Sequence, residues 1–151
     1  MTVLSTPKVA IKQLQHINTS THLSTVASAK VDQHIPMILY GIKNCNTVKT
    51  ALDWLRKHKI EFEFHDYKAK GITESKLKDW SKQVGWESLV NKRGTTWRQL
   101  DERIQSNVTN EKSAIALMKE KTSVIKRPLI EVDGKVIVLG FDEAEYRNKL
   151  L

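Results

Sequence analysis

The sequence is poor in cysteine, because Cys45 is the only one among 151 residues. A single cysteine excludes an intramolecular disulfide and any zinc site built from several cysteines. A free thiol survives best in a reducing compartment, so we expect a cytoplasmic protein. The five histidines form neither an H-x-x-x-H nor an H-x-x-E-H pattern. We therefore predict no metal site and no resident cofactor.

Long apolar runs are also missing. No window approaches the roughly 18 consecutive apolar residues of a membrane-spanning helix, and we predict no membrane partner. The formal net charge is +8, which favours anionic ligands such as oxyanions or the acidic peptide glutathione. Lysines and arginines nevertheless alternate with acids along most of the chain, as on a solvated surface. Because no dense basic stripe with interleaved aromatic residues is present, we predict no nucleic-acid partner.

Acidic residues are scarce at the start of the chain, where Asp32 is the only one in residues 1–36. This segment is rich in serine and threonine and lacks the apolar block of a secretory signal. Its low acid content is typical of an organelle transit peptide, but the absence of arginine disfavours one. We expect residues 1–36 to be a disordered extension and residues 37–151 to form one domain.

Residues 37–66 follow the pattern strand, helix, strand. Met37–Ile42 is a nearly continuous apolar run, typical of a strand covered on both faces. Asn44 is a candidate N-cap for a helix that runs to about Lys59. The apolar face of this helix consists of Val48, Ala51, Leu52 and Leu55. Residues Glu61–Asp66 alternate between apolar and charged, so the sequence predicts a βαβ unit with parallel strands.

The rest of the chain predicts a helical block followed by a hairpin and a last helix. Asp133-Gly134, between two apolar runs, is typical of a type I′ hairpin turn. The other predicted elements are a turn at Lys68–Gly71, helices at Thr73–Gly85, Trp86–Val90, Trp97–Ile104 and Asn110–Glu120 (capped by Thr109), strands at Leu129–Val132 and Val136–Leu139, and a helix within Phe141–Leu151. This order predicts an α/β protein with a thioredoxin-like topology enlarged in the middle.

Cys45 follows the first predicted strand directly and lies at the first turn of the first helix. Free N–H groups and the helix dipole stabilise an anion there, so the thiol pKa is expected to lie below its ordinary value of about 8.5. The Thr47 hydroxyl could donate to the sulfur, and Lys49 adds positive charge. The alternative is a small buried apolar residue. The position at a strand-to-helix turn favours a reactive thiol.

Two other segments are candidates for an anion pocket near this thiol. Arg127-Pro128 precedes the hairpin, where a thioredoxin-like topology brings its loop against the first helix; Pro128 is a candidate cis-proline and Arg127 a candidate oxyanion ligand. Lys92 and Arg93, in the turn before Gly94, could reach the same pocket. The alternatives are an ordinary loop with a surface arginine and a helix connection with solvated charges.

Three segments in this order, Tyr40–Lys49, Asn91–Trp97 and Ile125–Pro128, resemble the ArsC/Spx family and, more narrowly, its YffB-like branch related to arsenate reductases. The resemblance covers residues 37–151. It implies an ArsC-like thioredoxin fold with an inserted helical block. In this family the cysteine at the Cys45 position is the nucleophile, and the arginine at the Arg127 position binds an oxyanion.

Other family positions differ in this sequence. A second family arginine aligns with Asn91, so that Arg93 would be a displaced substitute. A third falls at Leu139-Gly140, where this sequence has none. Because each charge-assisted hydrogen bond contributes about 1.5–3 kcal/mol, the resemblance implies weaker oxyanion binding here than in arsenate reductases.

The resemblance also implies a reaction. Arsenate reductases of the family are recycled by glutathione and glutaredoxin, and YffB-like proteins are regarded as glutathione-dependent thiol reductases. We therefore expect a monomeric, glutathione-dependent thiol oxidoreductase that acts on an oxidised thiol or an oxyanion. With one cysteine, its resolving thiol must come from another molecule: glutathione as co-substrate, with glutaredoxin as a second partner. The expected oxyanion or glutathione ligands are Asn44, Thr47, Lys92, Arg93 and Arg127, with Pro128 shaping the site.

Two alternatives remain. The Spx branch consists of regulators that bind RNA polymerase and carry a Cys-x-x-Cys redox switch. Here Val48 replaces the second cysteine, so a regulator of this kind would lack an internal switch. The other alternative is a domain whose chemistry has decayed, which a sulfur buried without a facing pocket would favour.

Overall fold

The computed structural model describes residues 36–151, so all but the last residue of the predicted N-terminal extension lies outside the described part. The strands are β1 (Met37–Gly41), β2 (Glu63–Asp66), β3 (Leu129–Val132) and β4 (Lys135–Leu139). The helices are α1 (Asn46–Lys57), α2 (Tyr67–Lys70), α3 (Glu74–Val84), α4 (Trp86–Leu89), α5 (Thr95–Arg98), α6 (Glu102–Asn107), α7 (Glu111–Glu120) and α8 (Glu143–Leu150), with a 3₁₀ helix at Thr122–Val124. No helix in this part of the chain is long and apolar enough to span a bilayer.

The four strands form one mixed sheet in the order β2-β1-β3-β4. β1 and β2 are parallel, whereas β3 is antiparallel to both β1 and β4. This arrangement, with helices on both faces, confirms the predicted thioredoxin-like α/β fold and its enlarged helical middle.

Each face of the sheet has its own apolar core, because alternate residues of the buried strands point to opposite sides. Leu39 and Ile130 pack with α1 and α8 on one face. Tyr40 and Leu129 face the helical block on the other side, where Trp80 is fully buried. Cys45 packs against both cores, so the two layers meet at this residue.

Several local predictions are confirmed. Thr73 caps α3 by accepting a hydrogen bond from the Lys76 N–H at 3.2 Å. The β3–β4 turn has positive φ at Asp133 (51°) and Gly134 (71°), as a type I′ turn requires. The Arg127-Pro128 peptide bond is cis.

Other predictions are wrong in detail. The expected turn at Lys68–Gly71 is instead the one-turn helix α2, because the Asp66 carboxylate caps it by accepting from the Lys68 N–H at 2.9 Å. The predicted helix Trp97–Ile104 is two helices, α5 and α6, because Asp101 begins a new helix by capping the Arg103 N–H.

Two predicted caps are displaced by one residue. Asn110, not Thr109, caps α7, and it forms a capping box with Ser113. Cys45, not Asn44, is the N-cap of α1, with extended backbone angles.

Gly41 determines how closely α1 approaches β1. A Cβ at this position would lie 2.8 Å from Cγ2 of the fully buried Val48. Because a contact this short is a clash, only glycine permits the helix to pack directly against the strand end. This packing fixes the loop that carries Cys45.

Candidate active site

The strand register brings three chain segments to one edge of the sheet. Gly41 pairs with Asp66 at the carboxyl ends of the parallel strands β1 and β2. Leu129 pairs with Tyr40 in the antiparallel pair, so the segment before β3 lies at the same edge. Cys45 and Arg127 therefore lie on neighbouring loops, where open α/β sheets usually bind ligands.

The Cys45 thiol is half-buried at the N-terminus of α1. Burial, the largest single influence, raises the pKa of this thiol, but the N–H groups of Val48 and Thr47 and the Arg127 guanidinium together lower it below its ordinary value. Arg127 acts both as a hydrogen-bond donor and as a positive charge. The Cys45 side chain makes no capping hydrogen bond in the structure, and N–H groups and a positive charge close to a sulfur favour its thiolate form over the neutral thiol.

Neutral main-chain atoms hold Arg127. Its Nη1 donates to the carbonyl oxygens of Ser123 at 2.7 Å and Ile125 at 3.2 Å. Within residues 36–151, Arg127 forms no ion pair with a carboxylate. Pro128 is anchored in turn, because its carbonyl oxygen accepts a hydrogen bond from the Gly140 N–H at 2.7 Å. No neighbouring carboxylate in this part of the chain therefore neutralises the guanidinium, and its positive charge can act on the Cys45 sulfur.

The turn with Lys92 and Arg93 lies beside the segment that leads to Arg127. Asn91 N–H donates to Val124 O at 2.7 Å, and Lys126 N–H donates to Leu89 O at 2.7 Å. This pairing joins the two segments that sequence analysis assigned to one pocket. The Lys92 and Arg93 side chains, however, make no hydrogen bond or ion pair with the Cys45 thiol within residues 36–151, unlike Arg127.

Lys92 and Arg93 have different surroundings. The Lys92 ammonium lies over the rings of Trp86 (5.9 Å) and Trp97 (5.7 Å), a cation–π arrangement. Arg93 is exposed, and so is Asn44. Thr47 is exposed too, and it acts on Cys45 through its backbone N–H. The roles of these four side chains in binding an anion stay predictions.

The segments around the thiol contain no acid. None occurs in residues 40–52, 91–100 or 121–130, and α1 has no acidic residue in its first turn. Lys43, Lys49 and Lys126 are exposed in these segments. The local charge is therefore positive, as a thiolate and an anionic ligand both require.

We expect the pH profile of Cys45 alkylation to report this environment. The rate with iodoacetamide should reach half its maximum below the ordinary thiol pKa of about 8.5, and Arg127→Gln should move the midpoint upward, with a rate at pH 7 about three- to tenfold lower. Arg103→Gln, on the exposed helix α6, is the matched control. An unchanged midpoint in Arg127→Gln would contradict the assigned contact between guanidinium and thiolate.

Comparisons with known proteins show the family of this chain. The sequence profile of the ArsC family matches residues 40–149. The chain belongs to the ArsC family. A protein of Haemophilus influenzae is 47% identical over 109 residues, which cover 72% of this chain and 94% of that protein. The global transcriptional regulator Spx of Lactiplantibacillus plantarum is 27% identical over 116 residues, 76% of this chain and 86% of the regulator.

Solved structures of this family extend the comparison. The YFFB protein is 43% identical with a TM-score of 0.71, covering 76% of this chain and 99% of its own. A protein of Brucella melitensis described as related to arsenate reductase (ArsC) is 45% identical with a TM-score of 0.62, covering 75% of this chain and 92% of its own. The family profile, over residues 40–149, includes all three site segments.

Sequence reasoning missed one residue at this edge of the sheet. Tyr67 follows β2 directly and is 1% exposed, and its hydroxyl has no hydrogen-bond partner in residues 36–151. From the sequence it falls between the predicted strand Glu61–Asp66 and the predicted turn Lys68–Gly71, and no role is predicted for it. The only signal that could have found it is its place one residue after a parallel strand.

Proposed function

We propose that this ArsC-family protein is a glutathione-dependent thiol oxidoreductase with Cys45 as its single nucleophile. The observation that carries the proposal is a half-buried thiol whose pKa is lowered by α1 N–H groups and by Arg127. A second cysteine is absent from the sequence. The arsenate reductase-related neighbour from Brucella melitensis supports an oxidoreductase.

The proposed reaction has two exchanges. The Cys45 thiolate attacks the glutathionyl sulfur of a mixed disulfide R–S–S–G, forming Cys45–S–S–G and releasing R–S⁻, which takes up a proton. A second glutathione, as its thiolate, then attacks the glutathionyl sulfur of this adduct, which releases oxidised glutathione and the Cys45 thiolate. The net reaction is R–S–S–G + GSH → R–SH + G–S–S–G, in which the thiol of one glutathione is oxidised to the disulfide level and the R–S sulfur is reduced to R–SH.

An oxyanion is the second substrate class. The Cys45 thiolate would displace one arsenate oxygen as water, and Arg127 would neutralise the negative charge of the adduct. Glutathione then attacks the sulfur of this adduct, so that Cys45–S–S–G forms and two electrons reduce arsenic from As(V) to As(III). Because family arginines are absent at Asn91 and at Leu139-Gly140, we propose disulfides as the better substrates.

The test is the covalent intermediate. We expect intact-mass analysis, after incubation with oxidised glutathione, to show one glutathione adduct per chain, located on Cys45 by peptide mapping and removed by reduced glutathione. A glutathione reductase-coupled assay with a mixed disulfide should show turnover, and adding glutaredoxin tests the second expected partner. A wild-type protein that forms no adduct, or forms one that glutathione does not remove, would contradict the proposal.

A regulator that binds RNA polymerase is the second candidate, favoured by the 27% identity to Spx over 116 residues. Val48, at the position of the second switch cysteine, is fully buried against Gly41, so only binding without an internal disulfide switch is compatible with this sequence. Capture of purified polymerase by the immobilised protein, without turnover in the coupled assay, would favour this candidate over the enzyme.

A further inference from the structure

Three strand ends lie side by side at the edge of the sheet that carries the thiol. Cys45 lies in the loop after β1, Arg127-Pro128 precedes the antiparallel strand β3, and Gly140 follows β4. The strand order places β3 between β1 and β4. Because neighbouring strands are about 4.8 Å apart, the end of β4 lies roughly 10 Å from the end of β1. An extended ligand of about three residues' length, with its sulfur at Cys45, can therefore reach Gly140.

The side chain of Lys126 lies at the β4 end of this edge. A Cβ on Gly140 would lie 3.7 Å from the Lys126 Cε, and no other atom of residues 36–151 outside the adjoining residues would come within 4 Å of it. Two backbone hydrogen bonds hold this region, from the Gly140 N–H to the Pro128 carbonyl oxygen and from the Lys126 N–H to the Leu89 carbonyl oxygen, both at 2.7 Å. The end of the Lys126 methylene chain therefore lies against Gly140. Lys126 is accordingly not among the groups that shift the pKa of Cys45.

The Lys126 ammonium is not occupied by an acid. Lys126 is exposed and forms no ion pair with a carboxylate in the described part of the chain. By contrast, Lys149, which reaches β4 from α8, binds the Glu145 carboxylate at 2.7 Å. The carboxylate of Asp142, the first acid after β4, caps α8 by accepting from the Glu145 N–H at 2.8 Å. The positive charge of Lys126 is therefore available to a ligand.

We propose that Lys126 is a specificity-determining residue that binds a terminal carboxylate of a peptide-sized disulfide whose sulfur lies at Cys45. The inference rests on the proposed function, because it names the part of a glutathionyl substrate that the site recognises. Glutathione has a terminal carboxylate on either side of its cysteinyl sulfur, each within about 10 Å of that sulfur in an extended chain. A tetrahedral oxyanion bound to Cys45 and Arg127 is too short to reach Lys126. The lysine therefore favours peptide disulfides over oxyanions.

The test compares two alkylating peptides that differ only in the end group. N-iodoacetyl-glycylglycine ends in a carboxylate about 10 Å from its reacting carbon when extended, and its amide is neutral there. The readout is the ratio of the Cys45 alkylation rates with the acid and with the amide at pH 7. We expect Lys126→Gln to lower this ratio about threefold, the effect of one exposed ion pair, and Lys126→Arg, which keeps the charge, to preserve it.

Two controls separate a carboxylate site from the general positive charge of this edge. Lys43→Gln removes an exposed cation from the loop before Cys45, on the β1 side, and should preserve the peptide ratio. Iodoacetate and iodoacetamide form a short probe pair, whose carboxylate adjoins the reacting carbon and cannot reach Lys126, so their ratio should be the same in Lys126→Gln and wild type. An unchanged peptide ratio in Lys126→Gln, or an equal fall in Lys43→Gln or with the short pair, would overturn the proposal.

Neither pair of probes needs glutathione or turnover. A peptide ratio that depends on Lys126, in a protein that forms no glutathione adduct, would retain the carboxylate site and refute the proposed enzyme. Turnover of a glutathione mixed disulfide with the same KM in wild type and Lys126→Gln, together with an unchanged peptide ratio, would retain the enzyme and refute the carboxylate site.

Discussion

Replacing Cys45 by serine is expected to lower kcat/KM for a glutathione mixed disulfide by at least about 10³-fold, to the background rate. A serine hydroxyl stays protonated at neutral pH, and it can neither attack a disulfide nor form one. The N–H groups of α1 and the Arg127 charge lower the pKa of the Cys45 thiol below its ordinary value, but a serine hydroxyl at the same place stays protonated. The glutathione reductase-coupled assay measures the loss.

The effect of Cys45→Ser on stability must be measured separately from its effect on the reaction. Cys45 and serine are nearly equal in size, and the thiol makes no capping hydrogen bond in the native protein, so the urea midpoint of Cys45→Ser should stay close to that of wild type. Thr50→Ala is a matched control on the same helix: it removes an exposed hydroxyl that donates to Asn46 O at 3.0 Å. Residual turnover in Cys45→Ser above that of the uncatalysed mixture would refute the proposed nucleophile.

The parts of the fold that were predictable are those with local physical causes. The hairpin turn follows from Asp133-Gly134, two residues that tolerate positive φ. The start of α3 follows from the Thr73 side chain, which reaches an N–H three residues away. The position of Cys45 at the N-terminus of α1 follows from a strand that is followed closely by a helix. In each of these cases the determining atoms lie within a few residues of one another.

The parts that were missed depend on distant residues. Helix α2 is a single turn that sequence periodicity cannot show, and it packs against the distant 3₁₀ helix Thr122–Val124 only in the folded protein. Lys92 was predicted as a pocket ligand from its place in the chain, but two tryptophans, Trp86 and Trp97, determine the position of its ammonium. Side-chain direction in a turn is decided by such partners, which the sequence does not identify.

Glu131 is the other residue whose importance only the structure shows. In the sequence it is a charged residue within the apolar strand β3. In the structure it is 3% exposed, and its carboxylate accepts hydrogen bonds from Lys76 Nζ (2.9 Å), Trp80 Nε1 (2.5 Å) and Tyr40 OH (3.4 Å). These bonds tie β3 to α3 and β1. The strand that Arg127-Pro128 precedes is thereby fixed to the helical block.

We expect Glu131→Ala to lower the free energy of unfolding by about 2–4 kcal/mol, because it leaves the buried Trp80 N–H and Tyr40 hydroxyl without acceptors. The loss should lie below that of a fully buried ion pair, since the Lys76 side chain is 32% exposed and can turn to solvent. Urea unfolding at constant m-value measures it. Glu131→Gln, which keeps an acceptor oxygen but loses the charge, should fall between Glu131→Ala and wild type.

The control for this prediction is a carboxylate of the same type on the surface. Glu143 pairs with Arg147 at 2.8 Å on the exposed side of α8, and water screens such pairs, so Glu143→Ala should hardly change the urea midpoint. An equal loss in the two alanine variants would show that burial of the Glu131 network contributes nothing to stability. Glu131 is not among the groups that shift the pKa of Cys45. We therefore expect Glu131→Ala to be less stable than wild type but to keep the wild-type midpoint of Cys45 alkylation. That pair of results would show that the carboxylate stabilises the strand without setting the thiol pKa.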